Sequence, residues 1–138
     1  MASMHELLSR MLEKSASDLH LIAGAPPLYR VDGRLVAFSS DILTPDEVLR
    51  LTYSVMNEQQ RKNFEQKKEA DFSFGVQNLS RFRANVYLQR GCASSAIRLI
   101  PHRILGLKEL GLPSIASELT NRPNGLVLVT GPTGSGKS

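Results

Sequence analysis

The last eight residues of the chain carry the strongest chemical signal in the sequence. They fit the pattern G-x-x-x-x-G-K-[S/T], in which glycines let successive backbone N–H groups turn inward toward phosphate oxygens. In such a loop the lysine reaches the β- and γ-phosphates, and the hydroxyl that follows is a ligand for Mg²⁺. The pattern therefore predicts that ATP and Mg²⁺ bind here, with Ser138 as the metal ligand and the following residues around the phosphates: Gly131, Pro132, Thr133, Gly134, Ser135, Gly136, Lys137 and Ser138.

Arginines at alternating positions form a second group of candidate residues. Arg81 and Arg83 alternate with Phe82 and Ala84, so a strand here turns its arginines to one face and its apolar side chains to the other. Arg98 alternates with apolar neighbours in the same way. Guanidinium groups on neighbouring strands can clamp a polyphosphate bidentately. The pattern alone slightly favours the other interpretation, an ordinary solvated face.

Other polar residues give weaker signals. Asp18 and His20 share a strand face and suggest a metal site, but without a third ligand we expect ordinary surface polar residues. Residues 81–138 carry eight Lys/Arg against two Asp/Glu. We therefore expect this stretch to bind an anionic partner, which charge alone does not identify. Nucleic acid is not expected, because Phe82 and Tyr87 form no stacking platform with the arginines on one face.

The elements that position these residues indicate a mixed α+β domain with a largely antiparallel sheet. An amphipathic opening helix is predicted around Leu7 to Leu12, and a hairpin around the Asp32-Gly33 turn. Thr44, Pro45 and Glu47 form a helix start with a capping box. The other predicted elements are a strand at 18–21, a helix at 57–66, and strands at 71–76, 80–88 and 93–100.

The remainder of the chain has a different pattern. A linker is followed by a short helix from Pro113 to Leu119, with a Ser or Gly cap, and by a continuous apolar stretch, Leu126 to Val129, typical of a strand buried in a parallel sheet. With 138 residues, of which 41% are apolar, the chain suits one ordinary domain. We therefore expect a complete first domain and the start of a second, in a cytosolic protein, since no signal-peptide core precedes them.

Taken together, several motifs resemble those of the type IV pilus retraction ATPases, the PilT-like twitching-motility proteins. The resemblance extends over essentially the whole chain and ends in the phosphate-binding loop. The segments that carry it are Ala16-Ser17-Asp18-Leu19-His20-Leu21, Gly24-Ala25-Pro26-Pro27, Arg30-Val31-Asp32-Gly33, Arg81-Phe82-Arg83-Ala84-Asn85-Val86, Ala96-Ile97-Arg98-Leu99-Ile100-Pro101 and Leu110-Gly111-Leu112-Pro113.

This resemblance implies a domain organisation and a mechanism. It implies a PAS-like domain at 1–101, an interdomain linker at 102–113 and the truncated start of a RecA-like ATPase domain at 114–138. Two arginines of the N-terminal domain touch the nucleotide phosphates in the wider secretion-ATPase superfamily, and their spacing matches Arg83 and Arg98, with Arg81 as a plausible third. The resemblance thus reverses the preference for a solvated face.

The same resemblance implies partners and a location. The full-length proteins are homohexamers that work with a pilus platform protein of the inner membrane, at its cytoplasmic side. The acidic residues and the histidine motif that complete catalysis would lie beyond Ser138, so we expect no ATP hydrolysis by this chain alone. Three alternatives remain open: a related retraction-accessory ATPase, a secretion or pilus-assembly ATPase, and a non-enzymatic PAS-like interaction module.

Overall fold

The fold comes from a computed structural model, which describes residues 2–101 and 105–131. The chain divides into two units, Met1–Ile100 and Pro101–Ser138. In the first unit the helices are α1 (Met4–Glu13), α2 (Pro45–Tyr53) and α3 (Glu58–Lys67). Its strands are β1 (Asp18–Leu21), β2 (Leu28–Val31), β3 (Arg34–Ala37), β4 (Glu69–Val76), β5 (Ser80–Gln89) and β6 (Cys92–Ile100). The predicted α+β class is confirmed, and each element predicted for this unit is present.

Local side chains determine where the three helices begin. Thr44 accepts a hydrogen bond from the backbone N–H of Glu47, whose carboxylate accepts one from the N–H of Thr44. The same reciprocal capping box begins α1 at Ser3 and α3 at Asn57. Each box satisfies backbone donors that the first turn of a helix leaves without partners.

Six strands form one sheet in the order β3-β2-β1-β6-β5-β4, and every neighbouring pair is antiparallel. The predicted Asp32-Gly33 turn joins β2 to β3, with positive φ angles of 47° and 79° at its two central residues. β1, from the start of the chain, lies between β2 and β6, so the centre of the sheet joins segments far apart in sequence.

The core lies between the helices and one face of the sheet. Leu19 of β1, Phe82 of β5 and Ile97 of β6 are buried on this face, in one cluster with the apolar stripes of the three helices. Tyr29 is also buried there, and its hydroxyl donates a hydrogen bond to the carbonyl of Leu7 in α1. The other face, called the open face below, carries the alternate residues of each strand, including the arginines of β5 and β6.

The second unit contains one helix, α4 (Ser114–Thr120), within residues 105–131. It was predicted, but the expected Ser or Gly cap is wrong: Pro113 occupies the cap position and no side chain caps the first turn. The prediction of a buried strand at Leu126 to Val129 is also wrong, because these side chains are 57–82% exposed and have no strand conformation. A buried strand needs partner strands on both sides, and the described residues of this unit form none.

Across the described ranges, no helix is both long and apolar enough to cross a membrane.

Candidate functional site

A row of charged side chains crosses the open face of the sheet. Arg30 of β2 is paired in register with Asp18 of β1, Asp18 with Arg98 of β6, and Arg98 with Arg83 of β5. Asp71 of β4 completes the row from a diagonal position, because it is in register with Asn85, two residues beyond Arg83. We call these five charged residues the charge row. It unites residues that are up to 80 positions apart in sequence.

Asp18 is the buried centre of the charge row. Its carboxylate accepts hydrogen bonds from the Ser17 hydroxyl at 2.7 Å and from Nε of Arg98 at 2.9 Å, and Nε of Arg30 lies 3.4 Å away. The Asp18 side chain is 9% exposed, against 34% for Arg30 and 59% for Arg98. Burial by itself would raise the pKa of Asp18, but the hydrogen bonds from Ser17 and Arg98 outweigh it and hold that pKa below its usual value. Asp18 is therefore ionised at neutral pH.

Arg83 and Asp71 form a two-pronged pair at the other end of the charge row. Nε and Nη2 of Arg83 donate to the two carboxylate oxygens of Asp71 at 2.9 and 2.8 Å. This geometry lowers the pKa of Asp71 and raises that of Arg83, in each case chiefly through the hydrogen bonds between them. Unlike Asp18, this pair is exposed, with 64% of the Arg83 side chain and 44% of the Asp71 side chain accessible to solvent.

A groove of about 310 Å³ lies along the charge row, lined by the following residues: Asp18, Asp71, Arg83, Asn85, Ala96 and Arg98. The two arginines predicted to touch phosphate thus lie in one groove. Arg81, the third predicted arginine, shares the open face of β5 with Arg83 but is in register with Gly75 and Ile100, outside the groove. The groove presents two guanidinium groups and an amide, which suit a phosphate group, beside the two carboxylates that pair with the arginines.

His20 is next to the charge row and corrects another expectation. Asp18 and His20 were expected to be surface polar residues, but Asp18 is buried and His20 is half-buried. Both lie within a sheet whose strands cover them on either side, and the sequence does not show that pairing. Burial lowers the pKa of His20; Asp18 opposes this shift, and Arg30 and Arg98 add to it. No group of three metal-ligating side chains occurs among residues 2–101 and 105–131.

The acidic partners were missed by the sequence reasoning. Asp71 was assigned to a strand, but its contact with Arg83 depends on the β4–β5 register. The partnership of Asp18 with Arg30 and Arg98 likewise depends on β1 pairing with β2 and β6. The available signal was their alternation, which puts each acid on the polar face of its strand.

The phosphate-binding loop lies almost wholly beyond the described part of the chain. Gly131 is its one described residue and is half-exposed. The predicted ligands Pro132, Thr133, Gly134, Ser135, Gly136, Lys137 and Ser138 lie outside the described residues, so the loop stays a sequence prediction.

Comparison with known proteins identifies relatives over the whole chain. Residues 1–138 match the family described as Type II/IV secretion system protein. The chain is 47% identical over 133 residues to the type IV pilus retraction ATPase PilT of Pseudomonas aeruginosa, covering 96% of the chain and 39% of PilT. It is 38% identical to the type IV pilus ATPase PilU of the same organism, covering 96% of the chain and 35% of PilU. The chain therefore spans about two fifths of the length of these relatives.

Solved structures give the same result. The crystal structure of the pilus retraction motor PilT with bound ADP matches with a TM-score of 0.78 at 45% identity, over 99% of this chain and 40% of that one. The ATPase DotB of Legionella pneumophila matches with a TM-score of 0.80 at 27% identity, over 97% of this chain and 38% of that one. The sequence-based resemblance to the N-terminal portion of type IV pilus retraction ATPases is thus confirmed.

Proposed function

We propose that this chain, which belongs to the Type II/IV secretion system protein family, is the N-terminal portion of a motor ATPase that retracts type IV pili. The observation that carries the proposal is the high identity to the retraction ATPase PilT over nearly the whole chain. This identity exceeds that to a type II secretion system protein E of Aeromonas hydrophila, which is 30%. Coupling of ATP hydrolysis to retraction, and hence twitching motility, would belong to the longer protein.

Within that protein, Arg83 and Arg98 bind nucleotide phosphates, and the loop from Gly131 to Ser138 holds ATP with Mg²⁺. The groove supports this role, because it brings both guanidinium groups to a solvent-accessible surface. The ADP in the solved PilT structure supports nucleotide as the ligand. Arg81 is a third candidate for phosphate binding, and it lies on the same strand face outside the groove. Guanidinium groups here would stabilise negative charge that develops on the transferred phosphate.

The proposed organisation follows the resemblance. Residues 1–101 form the PAS-like domain, 102–113 the linker and 114–138 the start of a RecA-like domain that carries the phosphate-binding loop. The working assembly is a homohexamer that contacts a pilus platform protein at the cytoplasmic side of the inner membrane. Nucleic acid has no part in it.

The second candidate is an accessory ATPase of the same pilus system. The 38% identity to PilU over 96% of the chain favours it over more distant secretion ATPases. Complementation separates the two candidates: a longer protein that carries this chain should restore twitching to a strain lacking its retraction ATPase. Restoration only when the resident retraction ATPase is also present would support the accessory role.

The site is tested by ATP turnover of that longer protein. Replacing Arg83 or Arg98 with Ala should reduce turnover by about tens- to thousands-fold, the range for loss of a charge-stabilising donor. Lys at either position should restore it only partly, because a point charge does not reproduce a planar fork. Arg34→Ala, an exposed arginine of β3 outside the groove, is the matched control. Normal turnover in both groove variants, with unchanged melting temperatures, would remove the phosphate role.

A further inference from the structure

Arg83 and Arg98 repel each other electrostatically, and ion pairs with Asp71 and Asp18 offset this repulsion. The two arginines are directly opposite in the β5–β6 register, and like charges at such positions destabilise a sheet. Asp71 binds Arg83 from β4, and Asp18 binds Arg98 from β1, so each carboxylate lies on the outer side of its arginine. The groove runs between these two ion pairs.

We propose that Asp71 occupies the guanidinium of Arg83 in the absence of ligand and is displaced from it when a phosphate group enters the groove. Carboxylate and phosphate then compete for the same two N–H donors. Asp18, in contrast, stays in place as a fixed support for Arg98. The proposal rests on the proposed function, because the competing ligand is the phosphate that Arg83 and Arg98 are proposed to bind.

The geometry of the Arg83–Asp71 pair makes it exchangeable. Asp71 occupies Nε and Nη2 of Arg83, one of the two guanidinium edges that can form two parallel hydrogen bonds with a phosphate. Both side chains are largely exposed, so the carboxylate regains water on release and the pair itself adds little stability. A phosphate with more than one negative charge attracts the guanidinium more strongly than a single carboxylate does, and it also reduces the repulsion between Arg83 and Arg98.

Asp18 has the opposite properties. Its side chain is 9% exposed, and a buried carboxylate without partners is costly, so it must keep its hydrogen bonds. If Arg98 turns toward a ligand, Asp18 still has the Ser17 hydroxyl and Arg30. The site therefore combines one arginine with a releasable acid and one arginine beside a permanent acid.

The test uses the 138-residue chain and inorganic tripolyphosphate as the probe. Every variant also carries Lys137→Ala, so that the phosphate-binding loop gives a constant background. Dissociation constants are measured by calorimetry, and the Nε–Hε NMR signals of Arg83 and Arg98 report which arginine the probe contacts. Asp71→Asn is compared with Glu69→Gln, which removes the same charge from the same face of β4 outside the groove.

We expect Asp71→Asn to bind tripolyphosphate about two- to fivefold more tightly than Glu69→Gln, the equivalent of one exposed ion pair. Asp71→Ser should behave alike, and Asp71→Glu should return the affinity toward that of the parent. In an Arg83→Ala background the gain from Asp71→Asn should disappear. A gain no larger than that of Glu69→Gln, a loss of affinity, or a gain that persists without Arg83 would each overturn the competition.

The same measurements distinguish failure of the proposed phosphate site from failure of the proposed role of Asp71. If Arg83→Ala and Arg98→Ala both bind tripolyphosphate as the parent does, the arginines are not a phosphate site and the competition has no ligand. If either substitution weakens binding while Asp71→Asn leaves it unchanged, the phosphate site stands and the role of Asp71 is refuted.

Discussion

Replacing Asp18 with Asn should destabilise the first unit strongly, although the side chain keeps its shape. The substitution removes a buried charge that accepts from Ser17 and Arg98 and lies near Arg30. Breaking a buried ion pair costs about 3–5 kcal/mol, and hydrogen bonds to a charged group contribute about 1.5–3 kcal/mol each. Because both arginines are partly exposed and regain water, we expect a smaller loss, about 2 kcal/mol in the free energy of unfolding.

For a unit of 100 residues this loss corresponds to a decrease of about 10 °C in melting temperature. Asp71→Asn is the matched control: the charge change is the same, but the pair is exposed, so its melting temperature should stay within about 2 °C. Circular dichroism melts at neutral pH measure both. Equal effects of the two substitutions, or an Asp18 variant as stable as the parent, would refute the argument from burial.

The pH dependence of the same melts gives a second check. The pKa of Asp18 is lower in the folded protein than in the unfolded chain, so its stabilising effect is present above about pH 4, the unfolded value. The effect is lost as the pH falls from there through the folded pKa. The difference between the parent and Asp18→Asn should therefore shrink below about pH 4. A difference that is constant down to acid pH would show that the carboxylate charge is not its cause.

Three further predictions concern the whole chain. The 138-residue chain should release no phosphate from ATP beyond a Lys137→Ala control. Turnover above that control would contradict the expectation that residues beyond Ser138 are required for ATP hydrolysis. Burial lowers the pKa of His20, so protonation favours the unfolded state and stability should fall as the pH decreases from about 6.5 toward the folded pKa. His20→Gln should remove that part of the pH dependence in thermal melts, and an unchanged profile would assign it elsewhere. Finally, a fluorescence titration should detect little binding to duplex DNA; tight binding with steep salt dependence would support a nucleic-acid role.

Local features of the first unit were predictable because neighbouring residues determine them. Thr44, Pro45 and Glu47 form a capping box and a first turn regardless of the rest of the fold, and the structure has both. The alternation of Arg83 with Phe82 likewise assigned the arginines to a face, since successive side chains of any strand point to opposite sides. The resemblance then indicated which of these arginines to expect at phosphate, and the groove contains both.

Features that depend on distant partners were not predictable. Nothing in the local sequence around Asp71 shows that β4 pairs with β5 in the register that brings its carboxylate to Arg83. For the apolar stretch from Leu126 to Val129, the local sequence predicted an element that the structure does not have. Its composition suits a buried strand, but a strand forms only where neighbours accept its hydrogen bonds, and these side chains are exposed in the structure.

The position of β1 at the centre of the sheet has a consequence for synthesis of the protein. Asp18 and its partner Arg98 are 80 residues apart, so at about 5–20 residues per second β1 is made roughly 4–16 s before the strand that covers its second edge. Until β6 is made, β1 can pair only with β2. Its other edge has unpaired backbone groups that can pair with any exposed strand nearby. The carboxylate of Asp18 keeps this early segment charged and therefore less prone to aggregate before β6 is made.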